Sequence, residues 1–119
     1  MSGGRVVAVT GATGFLGQHI VAALARDGAQ LRVLVRDDPA QLRQRGIGFD
    51  ARFETVRGGL EDAPALARLV TGADAIVHAA GLIRARSDAD FLRVNRDGTA
   101  ALADAARRHA PLALSLIHI

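Results

Sequence analysis

The sequence predicts an α/β fold, a doubly wound parallel sheet, on three observations. Short apolar runs alternate with amphipathic stretches, the first run is too apolar to have a wet face, and a glycine-rich turn joins it to the first helix. With 119 residues, 50% of them hydrophobic, the chain suits one small domain and leaves no room for a second.

Arg5 to Thr10 reads as the first strand. Phe15 to Asp27 reads as a helix with Leu16, Ile20, Ala23 and Leu24 on one side and Gly28 placed to cap its end. Gln30 to Val35 is the second strand, after which Asp38 and Pro39 supply a cap and a first-turn proline for a short helix ending near Gly46. Residues 51–57 make a third strand, and Asp62 with Pro64 opens a helix carrying Leu66, Leu69 and Val70 before Gly72 stops it. Ala73 to His78 is the fourth strand. Ser87 to Ala110 then forms one long helix: Ser87 and Asp90 have capping-box spacing, Phe91, Val94, Asn95, Gly98, Leu102 and Ala105 share a face, and Pro111 ends it.

Composition narrows the chemistry. Fifteen Arg, ten Asp and two Glu give a net charge of +3, with no Lys, no Tyr and no Cys. A lysine Schiff base, a P-loop lysine, a tyrosine proton donor, a thiol nucleophile and a cysteine-ligated metal are thereby excluded within this chain. The arginines are scattered from Arg5 to Arg108 among the acids, which describes a solvated surface, and four Phe without Trp or Tyr offer little to stack bases on. Nucleic acid is not the expected partner. No secretory leader precedes Val6 and no apolar run approaches membrane-spanning length, so a cytoplasmic protein is expected.

The turn Thr10-Gly11-Ala12-Thr13-Gly14-Phe15-Leu16-Gly17 lies between the first strand and the first helix, where free backbone N–H groups and the helix dipole attract a pyrophosphate. Gly11 makes the turn, Gly14 lets a phosphate approach the backbone, and Gly17 lets the helix lie close on the sheet. Dinucleotide binding is therefore expected. At the end of the second strand stands Arg36, followed by Asp37. An arginine there can pair with the 2′-phosphate of NADP, so NADP(H) is favoured over NAD(H); the alternative is a solvated Arg36 with Asp37 holding the ribose.

Thr10 to Gly17, Val77-His78-Ala79-Ala80-Gly81 and Val94-Asn95-Arg96-Asp97-Gly98-Thr99 together resemble the extended short-chain dehydrogenase/reductase superfamily of NAD(P)-dependent epimerases, dehydratases and reductases. The resemblance covers residues 5 to about 111 and implies a Rossmann-type sheet, truncated around the fifth strand. Its implied cofactor contacts fall on Gly11, Thr13, Gly14, Phe15, Leu16, Gly17, Arg36, Leu60, Ala79, Ala80 and Gly81. Where the family places an acid against the adenine this sequence has Gly59, leaving the backbone N–H of Leu60 and no side-chain acceptor unless Glu61 or Asp62 shifts. Asn95 takes a structural polar role near the active site, against a plain reading as helix surface. His78 reads as a packed strand-end residue rather than a catalyst. Arg84 and Arg86 lie at the edge of the expected cleft, where they either meet an anionic substrate or are simply solvated.

The family's Tyr-x-x-x-Lys pair is absent from this chain, so no catalytic residue is assigned and turnover by the chain alone is not expected. Residues 1–111 are read as an incomplete NAD(P)-binding domain. Residues 112–119 are read as a doubtful tail, since Leu112 to Ile119 could form a buried fifth strand while Leu114 to Ile119 also looks like translated sequencing adapter. The reading is thus the cofactor-binding part of an NAD(P)-dependent epimerase/dehydratase or reductase, with a small-molecule substrate in the complete protein. Its alternative is a non-catalytic NADP(H)-binding regulatory or accessory module.

Overall fold

A computed structural model describes residues 5–12, 14–36, 38, 40, 53–79, 88–110 and 116–118; the side chains of 15, 16, 88–95 and 116–118 lie outside the description. Five parallel strands, β1 (Val6–Thr10), β2 (Gln30–Val35), β3 (Phe53–Arg57), β4 (Ala75–His78) and β5 (Leu116–His118), form one sheet in the order β3-β2-β1-β4-β5. Among the described residues three helices accompany it, α1 (Phe15–Arg26), α2 (Ala63–Val70) and α3 (Asp88–His109). The chain winds outward from β1 through β2 to β3, then returns to place β4 on the other side of β1. Strand order therefore reverses between β1 and β4, the place where open α/β sheets hold ligands at their carboxyl ends. The tail segment in doubt from sequence supplies β5, whose Ile117 pairs with Val77.

The sheet is buried on both faces because successive residues point to opposite sides. Val7, Val9, Leu31, Val33, Val35 and Val77 meet Val21 and Ala25 of α1 on one face. Ala8, Leu34, Val56 and Ile76 meet α2 and α3 on the other, where Leu66, Leu69 and Leu102 are almost fully buried. One sequence expectation needs correction: Ile20 and Leu24 pack on the sheet side as expected, but Ala23 is exposed, and Gly17, Val21 and Ala25 are the residues of α1 buried there. An alanine-rich helix has little hydropathy contrast to orient it. The glycine decides, because only the side without a Cβ can close on the turn below.

Polar groups secure the helix and strand ends. The Asp62 carboxylate accepts from the Ala65 N–H at 3.1 Å and caps α2. At the other end of α2, Arg32 reaches across from β2, and its Nη1 donates to the carbonyls of Arg68, Leu69 and Thr71 at 3.3, 2.9 and 2.7 Å while Nε meets Glu54 at 2.8 Å. A cation thereby meets the negative end of the helix. Asp74 holds the start of β1, since its carboxylate accepts from the Val6 N–H and its own N–H donates to the Val6 carbonyl, both at 2.8 Å. Of the short helix expected after Asp38, the structure shows only its opening: Asp38 accepts from the Ala40 N–H at 2.8 Å, and 41–50 lie outside the described residues.

Candidate functional site

The carboxyl ends of β1, β2, β3 and β4 lie along one edge of the parallel sheet, and the predicted site residues follow directly after them. After β1, Gly11 has φ 76° and accepts a turn-closing bond from the Gly14 N–H at 3.2 Å. A positive φ of this kind favours glycine. Gly14 is the N-cap of α1 in extended backbone, φ −77° and ψ 169°, and brings no side chain to cap the helix. The first-turn N–H groups are left without the acceptor that Ser, Thr or Asp would supply, which suits an anionic ligand.

The three glycines differ in what they tolerate. A Cβ at Gly17 would fall onto the Gly11 carbonyl oxygen, with the carbonyl carbon at 2.6 Å and the Ala12 Cα at 3.0 Å. A Cβ at Gly14 would meet only the Gly11 oxygen, at an ordinary 3.5 Å. The protein itself requires glycine at 17. At 14 the protein leaves open a cradle that a Cβ would begin to fill, and the turn therefore fits a dinucleotide phosphate.

Arg36, immediately after β2, lies next to the loop that follows β3. Its Nη1 and Nη2 donate to Oε1 and Oε2 of Glu61 at 3.0 and 2.9 Å, a bidentate pair in which both side chains are about two-thirds exposed. That hydrogen bond, aided by Glu61's own backbone N–H and by the guanidinium charge, holds the Glu61 carboxyl below the usual glutamate range, against a small opposing effect of desolvation. Gly59 lies beneath the pair: a Cβ there would come within 2.5 to 2.7 Å of the Glu61 carboxylate and the Arg36 guanidinium carbon. Leu60 packs on Gly98 of α3, where a Cβ would meet its Cδ1 at 2.8 Å. A groove of about 560 Å³ opens beside these residues, with Arg36, Leu60, Glu61, Leu66, Gly98 and Ala101 among its walls.

After β4, the Ala79 N–H donates to the Thr10 carbonyl at 3.2 Å, which ties the ends of β1 and β4 together. His78 is buried with 1% exposure and joins two hydroxyls, Thr10 Oγ1 at 2.6 Å through Nδ1 and Thr99 Oγ1 at 3.1 Å through Nε2. Its ring links β1, β4 and α3. The structure thus brings together Gly11, Gly14, Gly17, Arg36, Leu60 and Ala79 along the sheet edge, with the backbones of Phe15 and Leu16 in the first turn of α1. Thr13, Asp37, Ala80, Gly81, Arg84, Arg86 and the side chain of Asn95 lie outside the described residues.

Sequence reading missed the Glu61 partnership of Arg36, the seat Gly98 gives Leu60, and the Thr99 contact of His78. A glycine inside a helix was a usable signal of close packing at 98. Of the two acids available to replace the missing adenine acceptor, Asp62 caps α2 and Glu61 pairs with Arg36. Among the described residues no group of three or more His, Asp or Glu could hold a metal ion, and no helix is long and apolar enough to cross a membrane.

A Rossmann-like sheet with a glycine turn at its switch point defines a dinucleotide-binding class of protein, and the family comparison makes that dinucleotide a nicotinamide one. Residues 7–118 match the NAD dependent epimerase/dehydratase family, and the chain belongs to it. It is 54% identical over 102 residues to the ceramide reductase of Caulobacter vibrioides, covering 86% of this chain and 31% of that protein. To a 4-hydroxy-2-methyl-3-oxo-4-farnesyl-3,4-dihydroquinoline-1-oxide ketoreductase of Stigmatella aurantiaca it is 37% identical over 100 residues, 83% of this chain and 29% of that one. A crystal structure of uronate dehydrogenase from Agrobacterium tumefaciens complexed with NAD superposes with a TM-score of 0.72 at 30% identity, covering 96% of this chain and 40% of that one. The chain spans about a third of the length of the curated relatives it matches. It carries the NAD(P)-dependent portion of an extended short-chain dehydrogenase/reductase.

Proposed function

We propose that the chain is the cofactor domain of an NADP(H)-dependent reductase, in which residues 1–111 bind the dinucleotide and the protein's remaining length binds a small carbonyl substrate. The nicotinamide would supply hydride transfer when bound. Gly11, Thr13, Gly14, Phe15, Leu16 and Gly17 would hold the pyrophosphate by backbone N–H groups at the α1 N-terminus. Leu60 would receive the adenine beside the α2–α3 groove, Ala79, Ala80 and Gly81 would let the backbone pass along the ribose, and Arg36 would take the 2′-phosphate. Two relatives named as reductases, at 54% and 37% identity, support reduction as the chemistry.

The observation that carries the NADP(H) preference is the position of Arg36, a guanidinium at the carboxyl end of β2 already engaged with an anion in bidentate geometry. A charge-assisted contact of that kind is worth about 1.5–3 kcal/mol, or about ten- to hundredfold in affinity. Calorimetric titration of Arg36→Ala should therefore show NADPH weakened by about that factor and NADH changed by less than about twofold. Equal losses for both cofactors would remove the arginine from the site.

A further inference from the structure

The partner of Arg36 is itself an anion, and the two faces of the contact are specific. Glu61 occupies both terminal nitrogens of the guanidinium, Nη1 with Oε1 and Nη2 with Oε2, so its carboxylate uses the same forked edge that a phosphate oxygen pair would use. Gly59, with no Cβ, leaves the space in which the carboxylate and the guanidinium meet, and neighbouring Asp62 is fixed by its cap to α2. The fork can bind the carboxylate or a 2′-phosphate on that edge, not both. A carboxylate held there also repels a phosphate by like charge.

We propose that Glu61 is a specificity-determining residue that competes with the cofactor's 2′-phosphate for the Arg36 fork and so narrows the protein's preference for NADP(H) over NAD(H). The proposal rests on the reading of Arg36 as the 2′-phosphate contact. A ligand carrying a free 2′-hydroxyl has no need of the fork and leaves the Glu61 pair in place. A 2′-phosphate must displace it. Because the pair is about two-thirds exposed at each side chain, the competition is moderate and is screened by salt.

The test uses two adenosine ligands, 2′,5′-ADP and 5′-AMP, titrated calorimetrically at low ionic strength into wild type, Glu61→Gln, Arg36→Ala and the double variant. Thermal unfolding of each checks that the exposed substitutions leave the fold intact. Glu61→Gln is expected to tighten 2′,5′-ADP by about three- to tenfold, from the strength of an exposed pair plus relieved repulsion, and to change 5′-AMP by less than about twofold. On the Arg36→Ala background the same substitution should gain less than about twofold. If Arg36→Ala lowers 2′,5′-ADP affinity but Glu61→Gln leaves it unchanged, the competition is overturned while the arginine reading stands. A gain of equal size with and without Arg36 also overturns it, because Glu61 would then act only through general charge. If Arg36→Ala does not weaken 2′,5′-ADP, the arginine reading and the competition fall together.

Discussion

Alanine at Gly17 and alanine at Gly14 should have opposite consequences, although both replace a glycine in the same turn. At position 17 the added Cβ would land on the Gly11 carbonyl, 2.6 Å from its carbon and 3.0 Å from the Ala12 Cα, against an optimal carbon–carbon separation of about 3.5–4.0 Å. Those neighbours are backbone, so no rotamer change relieves the contact. The first turn of α1 must lift by about 1 Å, which loosens Val21 and Ala25 from the β1 and β2 side chains beneath them. Overpacking costs typically about 1–3 kcal/mol, and a backbone collision belongs at the upper end, so a fall in melting temperature of about 10–20 °C is expected. At position 14 the Cβ finds only an ordinary 3.5 Å contact in extended backbone that any residue adopts. Its stability cost should stay below about 1 kcal/mol, the scale of an altered N-cap. On the proposed placement of the pyrophosphate its NADPH affinity should nevertheless fall at least about tenfold, since the methyl group would stand where the phosphate meets the turn. Thermal unfolding and calorimetric titration of the two variants decide the matter. A Gly17→Ala protein that melts within about 2 °C of wild type, or a folded Gly14→Ala protein with unchanged affinity, refutes the division of labour.

His78→Ala should destabilise the protein by about 2–4 kcal/mol in urea unfolding, because it empties a buried site and removes the ring between Thr10 and Thr99; a loss below about 1 kcal/mol would show that the bridge contributes little. Arg32→Leu keeps the apolar stem but takes away the donor serving three carbonyls at the end of α2, for an expected loss of about 1.5–3 kcal/mol. Arg32→Lys should recover only part of it, and full recovery would reduce the arginine to a point charge. The pH dependence of Glu61 has a definite sign. Its folded carboxyl titrates below the usual glutamate value, so its contribution is complete above that value and disappears as the pH falls through the depressed one. The stability difference between wild type and Glu61→Gln should accordingly be flat from about pH 6 to 8 and vanish in acid; a difference that persists below both values would assign the effect to something other than the charge.

What could be read from the sequence, and what could not, follows from how far each signal reaches along the chain. Gly28 and Gly72, placed from sequence at helix ends, adopt φ 89° and 73° there, and the predicted strand from Gln30 to Val35 is the observed β2. These are local matters of backbone freedom and hydropathy. On α1 the sequence points Ile20 and Leu24 inward correctly and errs at Ala23, one of several alanines around the helix, while Gly17, which brings the helix onto the turn, acts through a carbonyl six positions earlier. The polar contacts of the site reach further. Arg36 and Glu61 are 25 residues apart, Thr10 and His78 are 68 apart, and His78 and Thr99 are 21 apart. No spacing rule connects such residues: strand register brings Thr10 to His78 and the ends of β2 and β3 together, and the packing of α3 on the sheet brings Thr99 to His78.

The same distinction explains why the glycine motif is a clearer sign of cofactor binding than the arginine is of cofactor choice. A phosphate bound by backbone N–H groups requires residues that are small in themselves, and a sequence displays that directly. A phosphate bound by a side chain requires that side chain to be free of rivals, which depends on what the fold places beside it. Here the fold places Glu61 there. Gly59 leaves open the space where the two side-chain ends meet, and Gly98 seats Leu60, the residue before the glutamate, against α3. Two glycines thus border the surroundings in which Arg36 acts, and on the proposed reading the choice between the two cofactors belongs to Arg36 and Glu61 as a pair.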